Sequence, residues 1–238
     1  MSEGQLLYEG KAKRLYTTDK PGELRVEYKD SATAFNGEKK AEIAGKGILN
    51  NRITSLLFTK LSGAGVPSHF IRQLSDREQL VRQVAIIPIE VIVRNRAAGS
   101  LARRLGMEEG TVFDGPVVEF CLKDDALGDP LITEDHVRVL KLASEKEVAV
   151  LRQRALAINE VLTGFFREIG VALVDFKVEF GRDEAGGVLL ADEISPDTCR
   201  LWDMETDAKL DKDVFRRDLG DLTAVYEEIL TRLGGQPT

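Results

Sequence analysis

The segment Val174-Asp175-Phe176-Lys177-Val178-Glu179-Phe180-Gly181, followed nine residues later by Leu190-Ala191-Asp192-Glu193, restricts the fold more than any other part of the chain. Apolar and charged residues alternate in the first segment, which is the period of a strand. Between the two lies Asp183-Glu184-Ala185-Gly186-Gly187, a composition suited to a tight turn, so the strands are expected to pair as a hairpin. Pairing would bring Glu179 and Asp192 together, and two close carboxylates repel unless a cation neutralises them. Magnesium is the natural candidate, since it is usually held by one or two carboxylates together with nucleotide phosphates. A hairpin whose acids simply face water fits the same pattern, so other segments must decide.

With 238 residues the chain is long enough for one large domain or two interleaved lobes. Its formal net charge of −7 argues against coating nucleic acid, which needs an excess of Lys and Arg on some face. No apolar run has the length of a membrane span and the N-terminus lacks the shape of a signal peptide, so no membrane partner and a cytoplasmic location are expected. The two cysteines, Cys121 and Cys199, define neither a disulfide framework nor a metal cluster. His69 and His136 lack metal-ligand spacing.

Short strands are expected at Leu6–Glu9, Lys13–Thr17 and Glu23–Lys29, forming a meander. A helix should run from about Ala41 to Leu61, and a strand from Val81 to Val93 in which Pro88 requires an edge, a bulge or a break. The connection around residues 84 to 89 reads as a hinge between lobes. A second helix runs from Ser144 to about Ile169, opened by the capping box Ser144/Glu147, and a last helix from about Asp213 to Leu233. This order is α+β.

Three further segments have the makings of anion sites. Glu9-Gly10-Lys11-Ala12-Lys13 joins two strands through a glycine that lets the backbone approach a phosphate, though an exposed hairpin turn has the same look. Arg94-Asn95-Arg96-Ala97-Ala98-Gly99-Ser100 ends an apolar strand and opens a short helix, so Arg94, Ser100 and the first free N–H groups can cradle a phosphate. The alternative is that Ser100 only caps the helix. In Ser195-Pro196-Asp197-Thr198-Cys199-Arg200, Arg200 and the two hydroxyls can meet another part of a polar ligand, while Trp202 packs. The polar stretch Asp30 to Lys40 reads as a lid or as a plain connecting turn.

Ile87 through Ser100 and Leu173 through Gly181 resemble the two signature motifs of the SAICAR synthetase family. Tyr8 through Lys13, Ser31 through Lys40, Gly45-Lys46-Gly47 and Asp192 through Asp203 are also similar to that family, in order along nearly the whole chain. The resemblance implies a SAICAR synthase-like α+β fold with an N-terminal antiparallel β-lobe (1–85), a larger α+β lobe (86–238) and ATP in the cleft, as in kinase and ATP-grasp architectures. It implies an ATP-dependent ligase that joins the carboxylate of carboxyaminoimidazole ribonucleotide (CAIR) to the amine of L-aspartate, through an acyl phosphate, in purine biosynthesis. It further implies that Gly10, Lys11, Ala12 and Lys13 cover the ATP phosphates, that Glu179 and Asp192 hold Mg2+, and that Arg94, Ser100 and Arg200 bind the CAIR 5′-phosphate. Lys177 and Asp175 would face the reacting end, with Lys13 the third catalytic candidate. Lys123 and Asp129 are weaker substrate contacts, and Arg216 with Asn36 and Gly37 would meet aspartate. Adenine would be read by backbone groups around Arg82 to Ile86, and the assembly would be a homodimer.

Overall fold

The computed structural model describes residues 4–34 and 37–236. Two antiparallel sheets organise it. The smaller contains β1 (Leu6–Glu9), β2 (Lys13–Thr17), β3 (Glu23–Tyr28), β6 (Phe70–Gln73) and β7 (Glu78–Arg82) in the order β1-β2-β3-β7-β6. Its own core is small: Val26, Tyr28 and Val81, flanked by Leu15 and Leu24. Between β3 and β6 come a two-stranded hairpin, β4 (Ser31–Ala34) with β5 (Lys39–Glu42), and then α1 (Lys46–Gly63).

The larger sheet is built on β8 (Ala85–Arg96), β9 (Val112–Leu122) and β11 (Val171–Arg182), extended by β10 (Leu131–Ile132), β12 (Val188–Ala191) and β13 (Cys199–Asp203). Its order is β10-β9-β8-β11-β12, and β13 pairs with the first half of β11. The helices are α2 (Gly99–Leu105), α3 (Glu134–Val139), α4 (Glu145–Glu168), α5 (Asp213–Arg216) and α6 (Leu222–Arg232). In α4 the apolar residues Leu151, Ala155, Ile158 and Leu162 recur every three or four positions, and they share one core with Ile89, Val91 and Val93 of β8 and Phe176, Val178 and Phe180 of β11. One face of the large sheet is therefore sealed, and the alternate residues of the same strands point the other way.

The hairpin of β11 and β12 forms as expected, with Glu179 opposite Ala191 and Asp192 one step beyond. Pro88 lies in a central strand, where a register shift between β8 and β11 opens a bulge opposite Phe180 that spares it a ladder bond. The 84–89 connection is consequently mostly strand, not a free hinge. α1 begins at Lys46, not Ala41, because β5 continues to Glu42 and Gly45 takes a left-handed turn (φ 83°). The expected last helix is two: the chain breaks at Asp218 (φ 54°) and Gly220 (φ 155°), and Asp221 caps α6 by accepting the Thr223 N–H at 2.8 Å.

Candidate functional site

A bulge sets the site. On β11, Val171 and Leu173 face the core, and continued alternation would bury Asp175 there as well. Instead β11 slips by one residue against β13 between Leu173 and Asp175, so Val174 packs with Ala98 and Trp202 and the core positions resume at Phe176. Asp175, Lys177 and Glu179 then share the face opposite the helical core. Across the ladder they meet Arg94, Ile92 and Glu90 of β8, and beyond those Val117, Glu119 and Cys121 of β9. An apolar sheet thus carries a charged stripe on the face away from α4, and Arg94, Asp175, Glu179 and Glu90 in that stripe are themselves buried.

At the Glu179 end three lysines converge. Glu179 Oε1 accepts from Lys123 Nζ at 2.9 Å and from Lys177 Nζ at 3.3 Å, and Lys177 also pairs with Glu90. Lys13, reaching over from β2, pairs with Asp192 and, at 3.1 Å, with Glu193. The two sheets are stitched here by backbone bonds: His69 N–H to Leu190 O at 2.8 Å and Leu190 N–H to Pro67 O at 3.1 Å. Burial alone would raise the Asp192 carboxyl, but Lys13, Lys177 and Lys123 overrule it and hold it at about 2. Burial disfavours the charge of Lys177, yet Glu179, Glu90 and Asp192 push its ammonium well above the ordinary lysine value. Glu90 moves the other way, because burial outweighs Lys177 and raises its carboxyl.

Hard carboxylate oxygens are the donors magnesium prefers, and Glu179 with Asp192 supplies two such groups. Among the described residues no group of three or more His, Cys, Asp or Glu forms a complete metal cage. The remaining ligands would be phosphate oxygens and water, which is how magnesium is commonly held beside nucleotides, so the donor set fits.

At the Asp175 end lies an arginine nest. Asp175 Oδ2 accepts from Arg94 Nη1 and from Arg200 Nη1, both at 2.8 Å. Arg94, whose side chain is 4% exposed, also gives Nε–H to Glu119 at 2.7 Å and Nη2–H to Ser100 Oγ at 3.2 Å. Arg200 gives Nε–H to Asp213 at 3.1 Å, and despite burial its charge is held firmly by Asp175 and Asp213. Gly99 makes room for it: its φ is 54°, and a Cβ there would stand 2.4 Å from Arg200 Nη2. Ser100 does not cap α2, whose N-cap is Ala98 with no side-chain bond. Its hydroxyl belongs to the nest.

The other candidate residues are held by their own partners. Asp175 is wedged between two guanidiniums at the nest, four residues along the strand from Glu179, so its carboxylate orients arginines. Gly10, Lys11 and Ala12 form the β1–β2 turn, with Gly10 N–H bonded to Lys13 O at 2.8 Å and Lys11 paired at 2.7 Å with Asp125 on the opposite side. Asp129 (φ 49°) spends Oδ1 on the Asp124 N–H at 2.9 Å and shapes the loop after β9. Arg216 pairs with Asp213 at 2.7 Å, adjoining the nest. Ser195 and Thr198 turn inward: Ser195 donates to Glu193 at 2.9 Å, and Thr198 Oγ1 accepts the Ser195 N–H at 3.1 Å. Gly37 (φ 97°) lies in the connection from β4 to β5, two residues before β5 begins, and Asn36 lies outside the described residues. Two surface concavities of about 290 and 390 Å³ lie away from all this, and no side chain of the nest or the lysine cluster lines either.

Comparison with known proteins places the architecture. The family profile described as SAICAR synthetase matches residues 6–233. A phosphoribosylaminoimidazole-succinocarboxamide synthase of Lysinibacillus sphaericus is 68% identical over 236 residues, covering 99% of this chain and 100% of the relative. Among solved structures, the phosphoribosylaminoimidazole-succinocarboxamide synthase of Ehrlichia chaffeensis is 45% identical with a TM-score of 0.96, covering 98% of this chain and 100% of that one. A SAICAR synthetase solved in complex with ADP is also 45% identical, with a TM-score of 0.94 over 97% of this chain and 98% of that one.

Proposed function

Because the chain belongs to the SAICAR synthetase family, we propose that its charged sheet face is the place where ATP, CAIR and L-aspartate react. The protein is an ATP-dependent carbon–nitrogen ligase of purine biosynthesis: it joins the CAIR carboxylate to the aspartate amine and gives SAICAR, ADP and phosphate. A carboxylate is a poor acyl donor because its leaving group would be an oxide. In the proposed route a carboxylate oxygen attacks the γ-phosphorus and ADP leaves. The amine then displaces phosphate from the acyl phosphate and loses a proton.

Each end of β11 suits one half of that task. Arg94, Ser100 and Arg200 anchor the 5′-phosphate, and Asp175 aims the arginines. Two residues further along the strand, about 7 Å away, Lys177 stands where the ribonucleotide's base end would lie. Lys177 and Lys123 offset the charge of its carboxylate. Gly10, Lys11, Ala12 and Lys13 close over the triphosphate, and Glu179 with Asp192 would hold Mg2+. When bound, that ion neutralises and orients the phosphates. Positioning and charge neutralisation are most of what phosphoryl transfer asks of a protein. Residues 1–85 act as the nucleotide lobe and 86–238 as the ribonucleotide lobe, with adenine against the backbone of Arg82 to Ile86. Arg216 and the segment holding Asn36 and Gly37 receive aspartate, and Asp129 shapes the loop that carries Lys123. The working form is a cytoplasmic homodimer; no helix of the described residues is long and apolar enough to cross a membrane.

The observation that carries the proposal is the convergence of Lys13, Lys123 and Lys177 on Glu179 and Asp192. It is tested by ADP release with CAIR and magnesium, with and without L-aspartate. Turnover should require aspartate, and steady release of a phosphorylated product without it would mark a small-molecule kinase instead.

A further inference from the structure

Ser100 Oγ is approached by a second guanidinium. Arg104, one turn along α2, gives Nη1–H to the hydroxyl at 3.3 Å while Arg94 Nη2–H reaches it at 3.2 Å. A serine oxygen has two acceptor lone pairs and one hydrogen, so with both lone pairs taken Ser100 has only its hydrogen to offer. Glu119 holds the pair in place: Oε2 takes Arg94 Nε–H and Oε1 takes Arg104 Nη2–H. Three of the five Arg94 hydrogens are spent on Glu119, Asp175 and Ser100, which leaves one on each terminal nitrogen.

We infer that Arg104 and Glu119 are positioning residues for the ribonucleotide phosphate: together they lock Ser100 as a hydrogen-bond donor and turn the nest into a surface of donors alone. Such a surface accepts a fully deprotonated phosphate, whose terminal oxygens only accept, and disfavours a hydroxyl or a protonated oxyacid that needs an acceptor in return. Charge balance points the same way. Arg94, Arg104, Arg200 and Arg216 face Glu119, Asp175 and Asp213, a small positive excess that attracts an anion, while donor geometry discriminates among anions. The inference rests on the phosphate assignment made above and adds to it a role for Arg104, which is 38% exposed and by position alone would pass for a solvated surface residue.

A double-mutant cycle on the full-length protein separates the two. Arg104→Gln should raise the CAIR KM about tenfold, the size of one lost charge-assisted hydrogen bond, with kcat and the ATP KM little changed. In a Ser100→Ala background the same substitution should add no more than about twofold, because its effect passes through the hydroxyl. Glu119→Gln should behave like Arg104→Gln, and Glu119→Asp should recover part of the loss. Equal effects of Arg104→Gln in both backgrounds, or none in either, overturn the inference. So does a matching rise in the ATP KM with a lowered Tm, which would mean plain structural damage. Arg94→Gln is the control for the underlying reading: if it raises the CAIR KM while Arg104→Gln does not, only the inference fails. If Arg94→Gln also leaves the CAIR KM unchanged, the phosphate assignment itself falls, and the inference with it.

Discussion

Glu90 and Glu179 stand opposite each other across β8 and β11 with one ammonium, Lys177, bonded to both. Removing that charge leaves two facing acids, of which Glu90, its carboxyl already raised by burial, is the one to take up a proton. Lys177→Met should therefore fold, yet lose on the order of 10²- to 10³-fold in kcat, the usual loss when a preorganised charge is removed from a transferring group. Single-turnover ADP formation measures it, and a rate within a few-fold of the parent would refute the placement of Lys177 at the reacting end. Asp175→Asn should free Arg94 and Arg200 from their shared acceptor and raise the CAIR KM more than the ATP KM. Equal rises in both constants would show that Asp175 serves the fold at large. The acid pair and the arginines could be read from sequence because each breaks an apolar or strand pattern where it stands. Glu90 breaks the run Ile89-Glu90-Val91 in the same way, but its partnership with Lys177 depends on the register of two strands far apart in the chain. Glu119 and Asp213 carry no local signal for the same reason: their meaning lies in which arginines they hold.

Elements whose ends are written in local chemistry were legible, and those defined by pairing were not. α4 illustrates the first kind: Ser144 Oγ accepts the Glu147 N–H at 3.3 Å, and Glu147 returns the bond by accepting the Ser144 N–H at 2.8 Å. Arg182, then Ser144, hold the Glu147 carboxyl at about 2, below its usual range. A depressed carboxylate stabilises the fold above its unfolded value, near 4.5, and that contribution fades as pH falls toward 2. Thermal melts should show the parent more stable than Glu147→Gln at pH 6, with the gap narrowing through pH 4 and 3. A gap independent of pH would mean the charge of Glu147 plays no part. Ser144→Ala should cost about 1 kcal/mol. β9 is the second kind, since its exposed Val112–Val117 half has no burial pattern to betray it and it becomes a strand by pairing with β8. The break between α5 and α6 is masked in the sequence because the apolar period continues through it, although Gly220 followed by the capping Asp221 marks it.

At the scale of the whole molecule, the two sheets meet where Lys13 of one reaches Asp192 of the other, with Lys11 paired to Asp125 nearby. These contacts join like to unlike across the gap that the triphosphate is proposed to fill. Phosphates compete for the lysines, and magnesium would compete for the acids, so nucleotide exchanges two direct ion pairs for contacts that run through itself. Nucleotide binding should then couple the lobes, whereas CAIR, whose proposed phosphate contacts all lie on the larger sheet and its flanking loops, should stabilise without needing Asp192. A ligand that binds only the native state raises its stability by about 2.7 kcal/mol at a hundred times its Kd, enough for a clear rise in Tm. We expect Mg-ATP and CAIR each to raise the Tm of the parent. Asp192→Asn should abolish most of the Mg-ATP shift and keep the CAIR shift, and Arg94→Gln should do the reverse. If Asp192→Asn lost both shifts alike, the two anion sites would be one cooperative unit, and the division of labour along β11 would have to be abandoned.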